Sequence, residues 1–159
     1  MKPLDAAGLD FFSSAPLTAT ATARLGAPPA QVFASFADAP QWLRWWPMMT
    51  TCKWVVDTAA VGAEREVAVR LLGRYRERMI AWQPGERFAF TMVASNSPMA
   101  SQIAEDYRLT ADGTGTRVDW VLAARPRTLG RLAAPVMRVT MRRMFNAGMA
   151  RLDHLLTAN

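Results

Sequence analysis

Two glutamates fall on the otherwise largely apolar face of strand-like sequence, and their chemistry asks for partners or a task. Glu77 lies in Tyr75-Arg76-Glu77-Arg78-Met79 and Glu105 in Ile103-Ala104-Glu105-Asp106-Tyr107. Side chains alternate across a strand, so taking the arginine-rich phase as outward turns Tyr75, Glu77 and Met79 inward together. By the same rule Ile103, Glu105, Tyr107 and Leu109 face inward, as do Arg65, Val67, Val69 and Leu71 of an earlier strand. Phe88, Phe90 and Met92, then Val118, Trp120 and Leu122, complete the inner face. A carboxylate in such a lining must pair, accept hydrogen bonds or take up a proton. Paired with Arg65, the glutamates form a structural network. Unpaired, a desolvated Glu77 or Glu105, with Tyr107 nearby, becomes a general acid or base for a carbonyl-bearing substrate. A register displaced by one residue would turn both glutamates outward.

Other chemistries lack their parts. His154 is the single histidine and falls in the last turn of the final helix, where the helix dipole favours a cation. A His-based metal site and a Ser–His–Asp triad therefore both lack what they need. Cys52 is alone, which excludes an intrachain disulfide and a thiolate cluster and suits a reducing, cytoplasmic setting. Gly113-Thr114-Gly115-Thr116 follows a hairpin turn rather than opening a helix, so it is no phosphate loop. Neither cofactor nor metal is expected.

The elements that must position the glutamates are legible from periodicity. Leu17 to Leu25 alternate threonine with small apolar residues, the pattern of a half-buried strand. Pro28-Pro29 opens a short helix with Val32, Phe33 and Phe36 on its buried face, and Asp38 is a suitable N-cap for a second that Pro47 stops. Strands are expected near 51–57, 63–72, 74–82, 87–94, 102–111 and 115–124, separated by turns at Gly62, Gly73, Pro84-Gly85, Asn96 to Pro98 and Asp112-Gly113. From about 128 to 157 the period becomes 3.6, with Met137, Met141, Met144, Gly148, Leu152 and Leu155 on one face. Arg131, Arg138 and Arg142 fall on another face, read as solvated. Trp42, Trp45 and Trp46 are spaced to fasten their helix to the sheet or to wall a cavity mouth, with packing favoured. The three methionines suit either a gap-filled core or an adaptable binding surface.

The 159 residues suit one domain, 17–159, preceded by an irregular arm, 1–16, with no apolar run long enough for a signal peptide or membrane span. Hydrophobic residues make up 51% and charged residues 20%, a globular balance. The formal charge of +6 is mostly arginine crowded after residue 124, which gives non-specific attraction to polyanions without implying a site. No specific nucleic-acid partner and no integral membrane association are expected, and the chain is read as monomer or homodimer.

The order of strand, two short helices, six strands and one long helix resembles the helix-grip superfamily of START-like, Bet v 1-like and polyketide cyclase/dehydrase proteins. The resemblance is carried by Ala27-Pro28-Pro29-Ala30-Gln31-Val32-Phe33, by Asp38 followed by Trp42, Trp45, Trp46 and Pro47, and by Val61-Gly62 and Glu77. It continues in Gly115-Thr116-Arg117-Val118 and in Leu152 with Leu155. It implies an α+β fold in which a curved seven-stranded antiparallel sheet wraps the C-terminal helix and leaves a cavity. It also implies binding or transport of a hydrophobic small molecule such as a lipid, polyketide or aromatic metabolite. The alternative is a cyclase or dehydratase using a cavity carboxylate and tyrosine. The expected ligand contacts are Arg65, Val67, Val69, Leu71, Tyr75, Glu77, Met79, Phe88, Phe90, Met92, Glu105, Tyr107, Trp120, Met137, Met141 and Met144, with Glu77, Glu105 and Tyr107 the candidates for chemistry.

Overall fold

The alternating and helical periodicities settle into one sheet and one long helix. A computed structural model describes residues 1–56 and 59–158. Its strands are β1 (Lys2–Pro3), β2 (Leu17–Leu25), β3 (Met49–Trp54), β4 (Glu64–Val69), β5 (Gly73–Gln83), β6 (Arg87–Ser95), β7 (Ala100–Asp112) and β8 (Gly115–Pro126). Its helices are α1 (Phe11–Ser14), α2 (Pro29–Ala37), α3 (Trp42–Trp45) and α4 (Thr128–Thr157), with a 3₁₀ turn at Ala39–Gln41. Residue 57, the end of the strand expected at 51–57, lies outside the described residues, as does residue 159 at the end of the expected domain.

The strands form one antiparallel sheet in the order β2-β8-β7-β6-β5-β4-β3, and α4 runs across its concave face against β2 and β8. The fold is the helix-grip fold. The expected arginine phase is outward on β5, where Arg76 pairs with Glu66 and Arg78 with Glu64 of β4. That register sets Arg65 directly opposite Glu77 on the inner face.

Helices α2 and α3 close one end of the sheet. Pro29 stands in the first turn of α2, where a missing N–H costs nothing, and Val32, Phe33 and Phe36 are buried as the spacing predicts. The helix cannot continue, because Pro40 has no N–H to give the Phe36 carbonyl. The Trp42 indole donates to that oxygen instead, at 2.8 Å, and the Trp54 indole donates to the Ala37 carbonyl at 3.1 Å. Asp38 does not cap the following turn with its side chain, as the sequence suggests; its carboxylate accepts from the Gln41 amide at 3.1 Å.

Two parts depart from expectation. The arm is not wholly irregular: Lys2 and Pro3 pair with Ser95 and Ala94 of β6, and residues 11–14 form a helical turn. Ala7 and Phe11 bury against Ala104 and Ala123, whose small side chains leave room on the outer face of β7 and β8. The strand expected to reach 72 ends at Val69. Leu71 sits in the turn with φ +69°, 90% exposed, because the chain must reverse within three residues before Gly73.

Candidate functional site

A cavity of about 860 Å³ lies between the concave face of the sheet and the first half of α4. Its walls come from every inner strand: Leu17 and Ala19 of β2, Val67 and Val69 of β4, Tyr75 and Glu77 of β5, and Phe90 and Met92 of β6. Ile103, Glu105 and Tyr107 of β7 and Leu122 and Ala124 of β8 complete the sheet side. Gly130, Met137 and Met141 of α4 form the roof, and Trp42 and Trp46 stand at the inner end. The cavity reaches solvent between the turn at Leu71, the loop Asn96 to Met99 and the start of α4, where Leu71, Asn96, Pro98 and Arg138 are exposed lining residues.

Gly130 is what lets α4 come this close to that loop. A Cβ there would stand 2.0 Å from the Met99 carbonyl oxygen, so any side chain would push the roof away. Gly148 allows a second close approach, with Trp46 and Pro47 within 3.4 Å of where its Cβ would be.

Of the expected ligand contacts, Val67, Val69, Leu71, Tyr75, Glu77, Phe90, Met92, Glu105, Tyr107, Met137 and Met141 line the cavity. Arg65, Met79, Phe88, Trp120 and Met144 do not; they are buried in the packed core beyond its inner end. Leu71 lines it only at the rim. The tryptophans do both jobs considered for them, since Trp42, Trp45 and Trp46 are all buried and Trp42 and Trp46 also face the cavity. Arg138, read as part of a solvated stripe, borders the opening and its guanidinium donates to the Thr18 carbonyl at 3.1 Å. The sequence reading missed the Asn96–Met99 loop, Met49 and the β2 residues; the one available signal was the alternation of β2, which places Leu17 and Ala19 on the inner face.

The two glutamates differ sharply. Glu77 is ion-paired to Arg65 Nε at 2.5 Å, both side chains buried. The guanidinium is stacked among aromatic rings, 4.2 Å from the Trp42 ring centre, 4.8 Å from Phe90 and 5.3 Å from Phe88. Burial pushes the Glu77 carboxyl up against the pull of that guanidinium. Among the described residues Nη1 and Nη2 of Arg65 have no hydrogen-bond partner, so the rings and the Glu77 carboxylate are the compensation those residues supply.

Among the described residues Glu105 makes no salt bridge. Tyr107 donates to its Oε2 at 2.7 Å and the Trp120 indole donates to the same atom at 2.9 Å. Neither reaches Oε1, so this cavity-lining carboxyl keeps one oxygen without a donor among the described residues. Burial raises its pKa to about 7, with the two donors opposing. The Tyr107 hydroxyl is pushed well above its ordinary value by burial and by Glu105. Cys52 is a free, buried thiol pushed up to about 11 by burial, which leaves it unreactive at neutral pH. Among the described residues no three His, Cys, Asp or Glu side chains converge as a metal site requires, and no helix is long and apolar enough to cross a membrane.

Residues 16–157 match the family described as polyketide cyclase / dehydrase and lipid transport, and the chain belongs to it. Uncharacterized protein Rv2574 of Mycobacterium tuberculosis is 31% identical over 152 residues, spanning 90% of this chain and 89% of that one; Mb2604 of Mycobacterium bovis matches to the same extent. Among solved structures, TTHA0849 from Thermus thermophilus superposes with a TM-score of 0.75 at 16% identity, covering 89% of this chain and 97% of that one. Ara h 8.0201 superposes with a TM-score of 0.70 at 12% identity, covering 89% and 98%. These two likenesses show the fold.

Proposed function

We propose that the protein binds or carries a hydrophobic small molecule in the cavity beneath α4, with Glu105 orienting its polar end. The observation that carries this reading is the cavity itself. Its volume of about 860 Å³ falls in the range of small-molecule sites, roughly 300–1,000 Å³. Its walls are mostly aliphatic, aromatic and methionine side chains, with one carboxyl oxygen left free for a ligand donor. Membership of a family that includes lipid-transport proteins supports the same reading.

A second reading, a cyclase- or dehydratase-type enzyme, has one observation in its favour. A carboxyl held near 7 can give and take a proton at neutral pH, which is what general acid–base catalysis asks of it. Glu77 suits that role less well, because Arg65 already occupies it. Tyr107 spends its proton on Glu105.

Native mass spectrometry of the purified protein, followed by denaturation, identifies any ligand carried along. Leu122→Trp then tests where it sits, since the larger side chain enters the cavity from β8 without disturbing the packed end. Loss of the bound molecule and of apolar-dye binding, with the fold intact by circular dichroism, is the expected result. Undiminished binding in that variant would place the ligand elsewhere. Once a ligand is known, turnover by the parent separates the two readings: an enzyme converts the ligand and Glu105→Gln abolishes that conversion, whereas a carrier returns it unchanged and Glu105→Gln only weakens its binding.

A further inference from the structure

The sheet is parted at one place, and the N-terminal arm lies in the gap. Strands β6 and β7 pair from Arg87 opposite Arg108 as far as Thr91 opposite Ala104. Beyond that rung β6 runs on to Ser95 and β7 returns from Ala100, joined by the Asn96–Met99 loop that borders the mouth of the cavity. The arm is bonded to both lips of this slit. Lys2 and Pro3 pair with Ser95 and Ala94 of β6, the Leu4 amide donates to the Val93 carbonyl at 3.0 Å, and the Asp5 amide donates across to the Ser101 carbonyl of β7 at 2.9 Å. The Gln102 side chain then donates to the Ala6 carbonyl at 3.1 Å. The Ala7 amide donates to Thr91 Oγ1 at 2.9 Å, at the rung where β6 and β7 rejoin.

The slit passes through the sheet. Leu4 packs against the hydrophobic cluster of the inner face, whereas Ala7 and Phe11, a few residues on, pack with Ala104 and Ala123 on the outer face. Met92 and Ile103, one on each lip, line the cavity. A smaller cavity of about 340 Å³ lies between the arm and the loop, and the two cavities share Asn96, Ser97 and Pro98 as walls. The closure is weakly held. Lys2, Pro3, Asp5 and Ala6 are exposed, Leu4 is half-buried, and Pro3 has no N–H for its rung. Segments with few buried apolar contacts and solvent-exposed backbone hydrogen bonds open at little cost while the rest of the fold stays shut. The arm also lies outside the residues, 16–157, that match the family.

We propose that residues 2–6 are a gate: lifted out of the slit, they open the side of the cavity and join it to the mouth, so that an apolar ligand enters and leaves there. This rests on the reading of the cavity as a ligand site. Ala7 and Phe11, both buried, anchor the arm at the closed end of the slit, so it swings without leaving the molecule. Closed, Leu4 completes the apolar wall between Met92 and Ile103. Open, the slit adds a lateral entrance to a cavity whose standing opening lies between the Leu71 turn, the Asn96–Met99 loop and the start of α4.

A reversible lock tests this with the full chain. Pro3→Cys combined with Ala94→Cys puts thiols on directly opposed residues of an antiparallel pair, a separation that a disulfide spans. Cys52, buried and pushed up to about 11, stays out of the exchange. The readout is the rate at which bound Nile red leaves for excess phosphatidylcholine vesicles, followed by stopped-flow fluorescence. The oxidised protein should release the dye about tenfold more slowly than the same protein after reduction, while reductant leaves the rate of the parent unchanged. Leu4→Ser, which removes the inward apolar contact of the arm, should speed loading and release alike by about tenfold and leave the affinity as it was. Equal rates before and after reduction, or a Leu4→Ser rate that matches the parent, overturns the gate and leaves the carrier reading in place. A parent that binds no dye overturns both.

Discussion

The two ends of the sheet's inner face are built from the same kinds of residue, yet one is filled and the other empty. On β4, Arg65 is packed while Val67 and Val69 line the cavity; on β5, Met79 is packed while Glu77 and Tyr75 line it. On β6 the division falls between Phe88 and Phe90, and on β8 between Trp120 and Leu122. α4 divides in the same way: before Met141 its one buried residue is Gly130, whereas from Met141 onward Met144, Phe145, Gly148, Met149 and Leu152 are buried as well. What differs is the cover. At the filled end α2 and α3 lay Phe33, Phe36, Trp42 and Trp45 across the sheet, with Phe36 5.2 Å from the Tyr107 ring and Trp42 4.3 Å from Trp45. At the empty end the cover is one helix, interrupted by Pro135, which leaves the Arg131 carbonyl without its intrahelical donor. Stability should therefore reside at the filled end and binding at the other.

The largest effect that would test this division is at Arg65. Arg65→Met leaves the Glu77 carboxylate desolvated and without its cation, at an expected cost of about 3–5 kcal/mol in urea unfolding. Adding Glu77→Leu should recover much of that loss, because apolar groups of similar size replace a buried pair at little cost. A single variant of ordinary stability would mean that Glu77 is well solvated from the cavity, and the filled end would then stop short of β5.

Glu105 gives the next effect and belongs to the open end. Its carboxyl titrates at about 7 in the folded chain against 4.5 ordinarily. Folding therefore takes up a proton between those values: the contribution is full below pH 4.5, declines as pH rises and is gone above about 7. Stability should fall across that window by up to about 3 kcal/mol, with the sign set by the native state binding more protons. Glu105→Gln should flatten the profile of unfolding midpoint against pH. A flat profile in the parent would show that cavity water solvates the carboxylate and that the empty end is wet.

How much of this could be read from the sequence depends on which coordinate is asked for. Strand alternation gives phase, and it turned Glu77, Glu105, Tyr107 and Phe90 inward correctly, since arginine on the outer face of β5 finds Glu64 and Glu66 on β4. Phase says nothing of depth along the strand, so Arg65, Phe88 and Trp120 are indistinguishable in sequence from the residues two positions on that line the cavity. Depth is set by where α2 and α3 land, a tertiary fact. Leu71 lines the cavity from an exposed turn rather than from a strand, which alternation does not disclose because a single leucine in left-handed backbone has no local signature. The arm was read as irregular because Phe11 means little without knowing that Ala104 and Ala123 offer a shallow seat on the far face of the sheet.

The smallest effect asks what holds the filled end itself together. Trp42 and Trp45 are adjacent, equally buried and in van der Waals contact, but the Trp42 indole donates to the Phe36 carbonyl while the Trp45 indole has no partner among the described residues. Replacing either by phenylalanine removes similar apolar area, so that cost cancels in the difference, and at Trp42 a ring remains beneath the Arg65 guanidinium. Trp42→Phe also strips the Phe36 carbonyl of its only substitute for the donor that Pro40 lacks, and should cost about 1–2 kcal/mol more than Trp45→Phe. Equal losses in urea unfolding would mean that ring packing alone secures α3. A larger loss for Trp42 would show that the filled end also depends on one hydrogen bond that finishes α2, and that the chain turns there because a proline forbids another residue of helix.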